Sequence, residues 1–158
     1  IRMAGTNEYP AISALENRCF TTDAQSPRSL RYLLRRAHAV TLLASLQTQS
    51  VGYVMLLFRR NSRVARLYSI AVDQASREHG IARRLVAAAE QAACEHGATE
   101  IRLEVRQSNE ASIRLFTRSG YRATGQLPGY YYREGHHEGH EDGLRMQKYL
   151  IKDSQHHG

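Results

Sequence analysis

The sequence contains little cysteine, proline and lysine, and no long apolar run. Its two cysteines, Cys19 and Cys94, lie 75 positions apart and form no CxxC motif. This excludes a disulfide scaffold and predicts a cytoplasmic protein with reduced thiols. Three prolines and 11 glycines among 158 residues exclude a collagen-like or low-complexity chain. No segment approaches the about 20 consecutive apolar residues that a membrane-spanning helix needs, so no membrane partner is expected.

Lysine is scarce because arginine carries nearly all of the positive charge. Only Lys148 and Lys152 are lysines among the 22 basic residues, so the other 20 are arginines, and the formal net charge is +7. An arginine excess indicates a phosphate-bearing or otherwise anionic partner, because the planar guanidinium matches phosphate oxygens. The arginines follow no helix-turn-helix, zinc-finger or RNP pattern, which argues against a nucleic-acid-binding module.

The length predicts a single domain over residues 1–158, with enough chain to bury a core. Strand patterns cover 1–4, 40–46, 51–58, 64–72, 99–106, 121–127 and 144–151, and helical patterns cover 9–20, 26–38, 80–96 and 108–119. In the strand 99–106, Ile101, Leu103 and Val105 alternate with charged residues, so Glu104 should face away from the packed side. This order of elements predicts an α/β fold around one mixed sheet.

The segment 72–85 runs from a strand into a helix and has features of an anion site. Gly80 and Ala82 keep the first helical turn free of bulk, so backbone N–H groups can approach a ligand closely. Arg77, Arg83 and Arg84 add positive charge at the same place. Neither the Walker pattern nor GxGxxG is present. An ordinary strand-to-helix turn stays open as the alternative.

Two motifs at a fitting separation resemble those of one family. Arg77-x-x-Gly80-x-Ala82, after the strand ending at 70–72, resembles the coenzyme A motif Gln/Arg-x-x-Gly-x-Gly/Ala of the GNAT acetyltransferases. The stretch 103–106, followed by Asn109 and the segment 111–121, resembles the second half of that fold. The match covers about residues 68–121, and it is most similar to the bacterial ribosomal-protein-alanine N-terminal acetyltransferases. It implies a single-domain GNAT fold with a mostly antiparallel sheet of six to seven strands and about four helices.

The resemblance implies acetyl-CoA as co-substrate and no metal. The strand backbone at 70–72 would pair with the pantetheine arm, and the backbone at 77–83 would hold the pyrophosphate. Residues of the following helix would lie near the thiol end. The implied cofactor-binding residues are Ile70, Ala71, Val72, Arg77, Glu78, His79, Gly80, Ile81, Ala82, Arg83, Asn109, Ser112 and Phe116.

The resemblance also implies that Glu104 is the general base, because an amine must lose a proton before it attacks the thioester. A salt bridge from Glu104 to Arg102 or Arg106 on a solvated face is the alternative. The family commonly places a tyrosine where this chain has Phe116, which has no proton to give to the departing thiolate. Tyr131, within the run 130–132, is the predicted substitute. The alternatives are that this run forms an aromatic wall of the acceptor site, or that the thiolate leaves unassisted.

The segment 135–142 contains histidines and carboxylates, but it is glycine-rich and lacks HExxH. A solvated loop beside the acceptor site is therefore expected rather than a metal site, and Glu138 or Asp142 could meet a cationic amine there. The predicted reaction is acetyl transfer to a primary amine by direct attack, with a protein or peptide N-terminus favoured. A small amine, a lysine side chain and a non-catalytic acyl-CoA sensor stay open as alternatives, and so does a monomer or a homodimer.

Overall fold

The computed structural model describes residues 1–3, 9–19, 38–132 and 140–151, so the helix predicted over 26–38 lies almost entirely outside the described residues. The strands are β1 (Arg2–Met3), β2 (Ala39–Leu46), β3 (Gln49–Phe58), β4 (Val64–Val72), β5 (Glu100–Arg106), β6 (Arg122–Tyr132) and β7 (His140–Tyr149). The helices in the described part are α1 (Tyr9–Cys19), a 3-10 helix (Gln74–His79), α2 (Ile81–Glu95) and α3 (Glu110–Arg118). No described helix is long and apolar enough to cross a membrane.

The strands form one seven-stranded sheet in the order β1-β2-β3-β4-β5-β7-β6. All neighbouring pairs are antiparallel except β4 and β5, which are parallel and are joined through α2. The predicted mixed, mostly antiparallel sheet is confirmed. Because β7 lies between β5 and β6, the β6–β7 hairpin is placed beside β5.

The two faces of the sheet bury separate hydrophobic clusters. On one face, α2 packs on β2, β3 and β4, and its Leu85 belongs to the larger cluster together with Ile101, Leu103 and Val105 of β5 and Phe116 of α3. On the other face, α1 covers β3 and β4 with a smaller cluster that consists of Ile12, Leu15, Leu43, Tyr53, Met55 and Ala71. Fully burying each such aliphatic side chain stabilises the fold by about 1.5–3 kcal/mol. The alternation predicted for β5 is confirmed, because Ile101, Leu103 and Val105 all face the larger cluster.

A polar contact ties β7 to both helices on the larger-cluster face. The Nζ of Lys148 lies 3.0 Å from Oε1 of Glu90 on α2 and donates a hydrogen bond of 2.8 Å to the carbonyl of Ser119. Burial, and then the neighbouring Glu90 carboxylate, raise the pKa of Tyr121 well above its ordinary value. Tyr121 therefore stays protonated and acts as a core residue beside Phe116.

The predicted strand boundaries at two hairpins differ from the structure. The β2–β3 hairpin closes through Gln47 and Thr48 alone, with Gln47 at φ +57°, so β3 begins at Gln49 instead of 51. The predicted strand 121–127 ends too early, because β6 continues to Tyr132. The predicted strand 144–151 begins too late, because β7 begins at His140. Pairing continues past Leu127 through a bulge that contains the Pro128-Gly129 dipeptide, a pair of residues typical of turns.

Candidate active site

A gap opens between β4 and β5 because the two strands pair only at their beginnings. Val64–Arg66 align with Glu100–Arg102, and beyond these residues β4 pairs with β3 while β5 pairs with β7. A bulge in β4 lies at the point of divergence, where Met55 aligns with Ser69 and Leu56 aligns with Leu67. Tyr68 is the extra residue, and such a bulge bends the strand away from a straight course.

Backbone groups of both strands point into this gap. The N–H of Asp73 donates to the carbonyl of Val51 on β3 at 2.7 Å. Peptide groups alternate in direction along a strand, so those of Ile70 and Val72 are directed away from β3. On the opposite side, the N–H of Gln107 donates to the carbonyl of Asp142 at 3.1 Å, which directs the peptide groups of Glu104 toward β4. The gap is therefore bordered by polar backbone on both sides.

The beginning of α2 lies at the end of β4, after the 3-10 helix. Gly80 has φ +68° and ψ 22°, a left-handed conformation that favours glycine. Among the described residues, no atom outside its chain neighbours and its own helix backbone lies within 4 Å of a Cβ placed on it. Helix α2 has no side-chain cap and no acidic residue in its first turn. The N–H groups of Ile81, Ala82 and Arg83 have no partner inside the helix, and the dipole adds partial positive charge. Arg83 and Arg84 are exposed beside them.

The other predicted cofactor residues divide into two groups. Asn109 caps α3, because its Oδ1 accepts the N–H of Ser112 at 3.1 Å, so these two residues lie together at the end of β5. Phe116 is only 2% exposed and packs edge-on against Tyr121 in the core. The side chains of Arg77, Glu78 and His79 lie outside the described part of the structure. Contact of any of these residues with a cofactor stays a prediction.

Glu104 projects from β5 on the face opposite the larger cluster. Its side chain is 9% exposed, and its Oε1 lies 2.6 Å from Nη2 of Arg66 on β4. The salt bridge predicted as an alternative therefore exists with another partner, since Arg102 pairs with Glu100 and Arg106 pairs with Glu141. Arg66 is not among the residues predicted for the site. The sequence does contain a pattern that could have indicated it. Arg66 is a charged residue between buried Ala65 and Leu67, and this alternation places it on the same face as Glu104.

Within the run 130–132, the structure describes the side chain of Tyr130, which contacts the Arg66–Glu104 ion pair through Arg66. Nη2 of Arg66 donates to its hydroxyl at 3.4 Å, so Arg66 lies between Glu104 and Tyr130. The β6 bulge explains the position: Leu127 aligns with Gly143 and Tyr131 with Glu141, which leaves three residues opposite Asp142. The side chain of Tyr131, the predicted proton donor, lies outside the described residues.

Two carboxylates of β7 hold the surrounding backbone. Oε2 of Glu141 accepts the N–H of Ser108 at 2.7 Å, and its Oε1 lies 3.3 Å from Nη1 of Arg106. The hydrogen bonds from Ser108, and then Arg106, hold the pKa of Glu141 below its ordinary value. Oδ1 of Asp142 accepts the N–H of Gly129 at 2.9 Å and fixes the bulge.

The β7 carboxylates therefore have structural partners. Glu138, the other residue expected to meet a cationic amine, lies outside the described residues. In the ranges that the structure describes, no three histidine, cysteine, aspartate or glutamate side chains come together as a metal site.

The fold and the site define an α/β protein whose central sheet is split at its parallel pair, with an uncapped helix beginning at the mouth of the split. The sequence profile of the Acetyltransferase (GNAT) family matches residues 9–121, and the chain belongs to this family. It is 30% identical over 161 residues to the N-terminal acetyltransferase A complex catalytic subunit NAA10 of Arabidopsis thaliana, covering 99% of this chain and 80% of the relative. The chain is therefore an N-acetyltransferase.

Solved structures agree with the fold. The ribosomal-protein-S18-alanine N-acetyltransferase of Escherichia coli superposes with a TM-score of 0.84 at 21% identity, covering 95% of this chain and 92% of that chain. The ribosomal-protein-alanine N-acetyltransferase of Brucella melitensis superposes with a TM-score of 0.79 at 26% identity, covering 94% and 98%. The predicted GNAT fold is confirmed.

Proposed function

We propose that this chain transfers the acetyl group of acetyl-CoA to the N-terminal amine of a protein or peptide. The observation that carries the proposal is the nearly buried Glu104 carboxylate at the border of the β4–β5 gap. The likeness to NAA10, an N-terminal acetyltransferase subunit by name, supports a polypeptide as the acceptor. The cytoplasm is the proposed compartment.

The chemistry of the gap fits acetyl-CoA. Peptide groups of Ile70 and Val72 would pair with the amides of the pantetheine arm as a neighbouring strand does. The N–H groups at the start of α2, with Arg83, would hold the pyrophosphate. Gly80 supports this fit, because its left-handed conformation starts the helix without a side chain at the mouth of the gap. Acetyl-CoA supplies an activated acyl group when it is bound.

In the proposed reaction, Glu104 removes a proton from the acceptor ammonium, and the amine nitrogen attacks the thioester carbon. The C–N bond forms, the C–S bond breaks, and the sulfur leaves as a thiolate. The nitrogen then loses its second proton, to the thiolate or to water, and becomes the amide nitrogen. The N–H of Val72 stabilises the negative charge that develops on the thioester oxygen. Cys94 lies on α2, on the opposite side of the sheet from Glu104. This supports direct transfer to the amine without an acetyl-cysteine.

In this proposal, Arg66 and Tyr130 support the reaction at Glu104. Arg66 holds the carboxylate in position through their 2.6 Å ion pair. The Tyr130 hydroxyl lines the acceptor side and can return a proton to the thiolate, a role that Phe116 cannot fill. A thiol with an ordinary pKa near ~8.5 also leaves as a thiolate without help, so a proton donor is not required.

The test is coenzyme A release with a panel of acceptors. Each peptide is offered with a free N-terminus and, as its matched control, with a blocked N-terminus and a free lysine; polyamines complete the panel. We expect release only with free N-termini. Equal rates for free and blocked peptides would show that the acceptor is a lysine side chain, and release only with polyamines would show a small-molecule acceptor.

Binding of acetyl-CoA without release of coenzyme A for any amine in the panel would contradict the proposed transfer.

A further inference from the structure

Four arginines extend from four neighbouring strands onto the sheet face that carries Glu104. Arg66 on β4 aligns with Arg102 on β5, which aligns with Gln147 on β7, and Gln147 aligns with Arg122 on β6. Arg145 on β7 lies directly opposite Glu104. Aligned residues of neighbouring strands point to the same face. Arg66, Arg102, Arg122 and Arg145 therefore form one surface, the arginine face, next to the gap.

The charges on this face are layered. The side chains of Glu100 and Glu104 are 10% and 9% exposed, while those of their partners Arg102 and Arg66 are 46% and 47% exposed. Arg122 and Arg145 are also exposed, and no acidic side chain of the described residues forms an ion pair with Arg145. The carboxylates lie at the bottom and the guanidinium groups at the top. An approaching molecule therefore meets positive charge.

We infer that the arginine face binds an acidic segment of the acceptor polypeptide, just after its N-terminal residues. This inference rests on the proposed function, because it assigns the substrate class of the same site. Arg66 contacts both Glu104 and Tyr130, so the face begins where the acceptor amine must arrive. A carboxylate accepts two parallel hydrogen bonds from a guanidinium, which gives the arginines a specific ligand.

The spacing of the arginines fits an extended peptide. Strands are about 4.8 Å apart, so Arg66 and Arg122 are separated by three spacings, or about 14 Å. An extended chain covers that distance in about four residues, and its alternate side chains lie on one side about 6.8 Å apart. Two acidic side chains at alternate positions would therefore reach the Arg66–Arg102 end and the Arg145–Arg122 end together.

The same layering favours a short acidic peptide over a nucleic acid. Glu100, Glu104 and Glu141 lie beneath or beside the arginines, and they would repel a continuous polyphosphate. Two separate carboxylates bring less negative charge near these acids than a continuous polyphosphate does. The area within about 14 Å is also small compared with the surface that a nucleic-acid site buries.

The test measures binding by fluorescence anisotropy, independently of turnover. Two labelled peptides with free N-termini differ only in carrying glutamate or glutamine at two alternate positions after the second residue. We expect the glutamate peptide to bind the whole protein about tenfold more tightly, since two ion pairs at exposed sites contribute modestly. Raising the salt concentration from about 0.05 M to about 0.3 M should remove most of the difference, because exposed charges are screened.

Charge reversal locates the binding surface. Arg102→Glu with Arg145→Glu should abolish the preference for the glutamate peptide, whereas Arg102→Lys with Arg145→Lys should retain part of it. Arg114→Glu with Arg118→Glu on α3, on the opposite side of the sheet, is the control matched for net charge and should retain all of it. Thermal unfolding of each variant shows that it is folded.

Equal affinity for the glutamate and glutamine peptides would overturn the inference, and so would an equal loss of the preference in Arg114→Glu with Arg118→Glu. Tighter binding of a single-stranded oligonucleotide that competes with the acidic peptide would assign the face to nucleic acid instead. Failure of the proposed function gives a different result. If the acidic peptide binds the arginine face but no peptide is acetylated, the binding inference is supported and the proposed acetyl transfer is contradicted.

Discussion

The two sides of the β4–β5 gap are built in different ways. The β4 side uses backbone groups of β4, Gly80 and the first turn of α2, all within one continuous segment. The opposite side adds side chains to its backbone groups: Glu104 from β5, Tyr130 from the β6 bulge, and Glu141 and Asp142 from β7. Most substitutions leave the backbone N–H and carbonyl groups in place, whereas a set of interacting side chains is lost when one of its residues is replaced. We therefore expect single substitutions to separate cofactor binding from turnover.

The largest effect is expected from Glu104→Gln on the side-chain side. The amide keeps the size of the side chain but cannot accept the amine proton, so turnover should fall by about 100-fold or more. Acetyl-CoA affinity, measured by calorimetry, should stay unchanged. Glu100→Gln is the control, because Glu100 is also on β5 and also paired with an arginine. Undiminished turnover in Glu104→Gln would remove Glu104 as the base.

The converse effect is expected from Gly80→Ala on the backbone side. A non-glycine residue at φ +68° costs about 1–2 kcal/mol, so the start of α2 should shift and acetyl-CoA should bind about tenfold more weakly. Turnover at saturating acetyl-CoA should remain near that of the parent chain. Gly125→Ala serves as control, since it has open space and no left-handed conformation. Equal affinities for the two variants would contradict a role for this turn.

A smaller effect concerns the link between β7 and the turn before α3. The pKa of Glu141 is lowered in the folded protein, so its ionisation stabilises the fold above the ordinary glutamate pKa of about 4.3. This contribution is lost as the pH falls through the lowered value. Urea unfolding should show Glu141→Gln to be less stable than the parent at pH 7, with the difference shrinking at acidic pH below about 4. A difference that does not depend on pH would contradict the assignment.

The smallest effect is expected from Tyr130→Phe. It removes one exposed hydrogen bond of 3.4 Å and leaves the ring in place. Turnover should fall by about threefold, the range of a single weak hydrogen bond. A fall of more than about tenfold, with the ordering of peptide affinities unchanged, would show instead that the hydroxyl supplies the thiolate proton.

The backbone side of the site was predictable from the sequence because it is local. Gly80 after the strand 64–72 indicates a strand-to-helix turn, and the alternation in β5 assigns Glu104 to its face. The partner of Glu104 was not predictable, because alternation within one strand does not tell which strand lies beside it. Arg66 becomes the neighbour only through the parallel β4–β5 pairing.

The position of Tyr130 was hidden for a different reason. Pro128 and Gly129 are typical of turns, and in isolation they indicate the end of a strand. In the structure the carboxylate of Asp142, 13 residues away, accepts the Gly129 N–H and keeps the bulge within the hairpin. A contact between residues that distant leaves no local pattern.

The use of the gap is tested most directly by amide NMR of the isotopically labelled protein during titration with acetyl-CoA. If the gap holds the pantetheine arm, the largest shift changes will fall on the amides of residues 70–72 and 81–84, with little change in α1 or β2. The same pattern should appear in Glu104→Gln. Changes concentrated elsewhere, with the amides of 70–72 and 81–84 unaffected, would contradict the gap as the acetyl-CoA site.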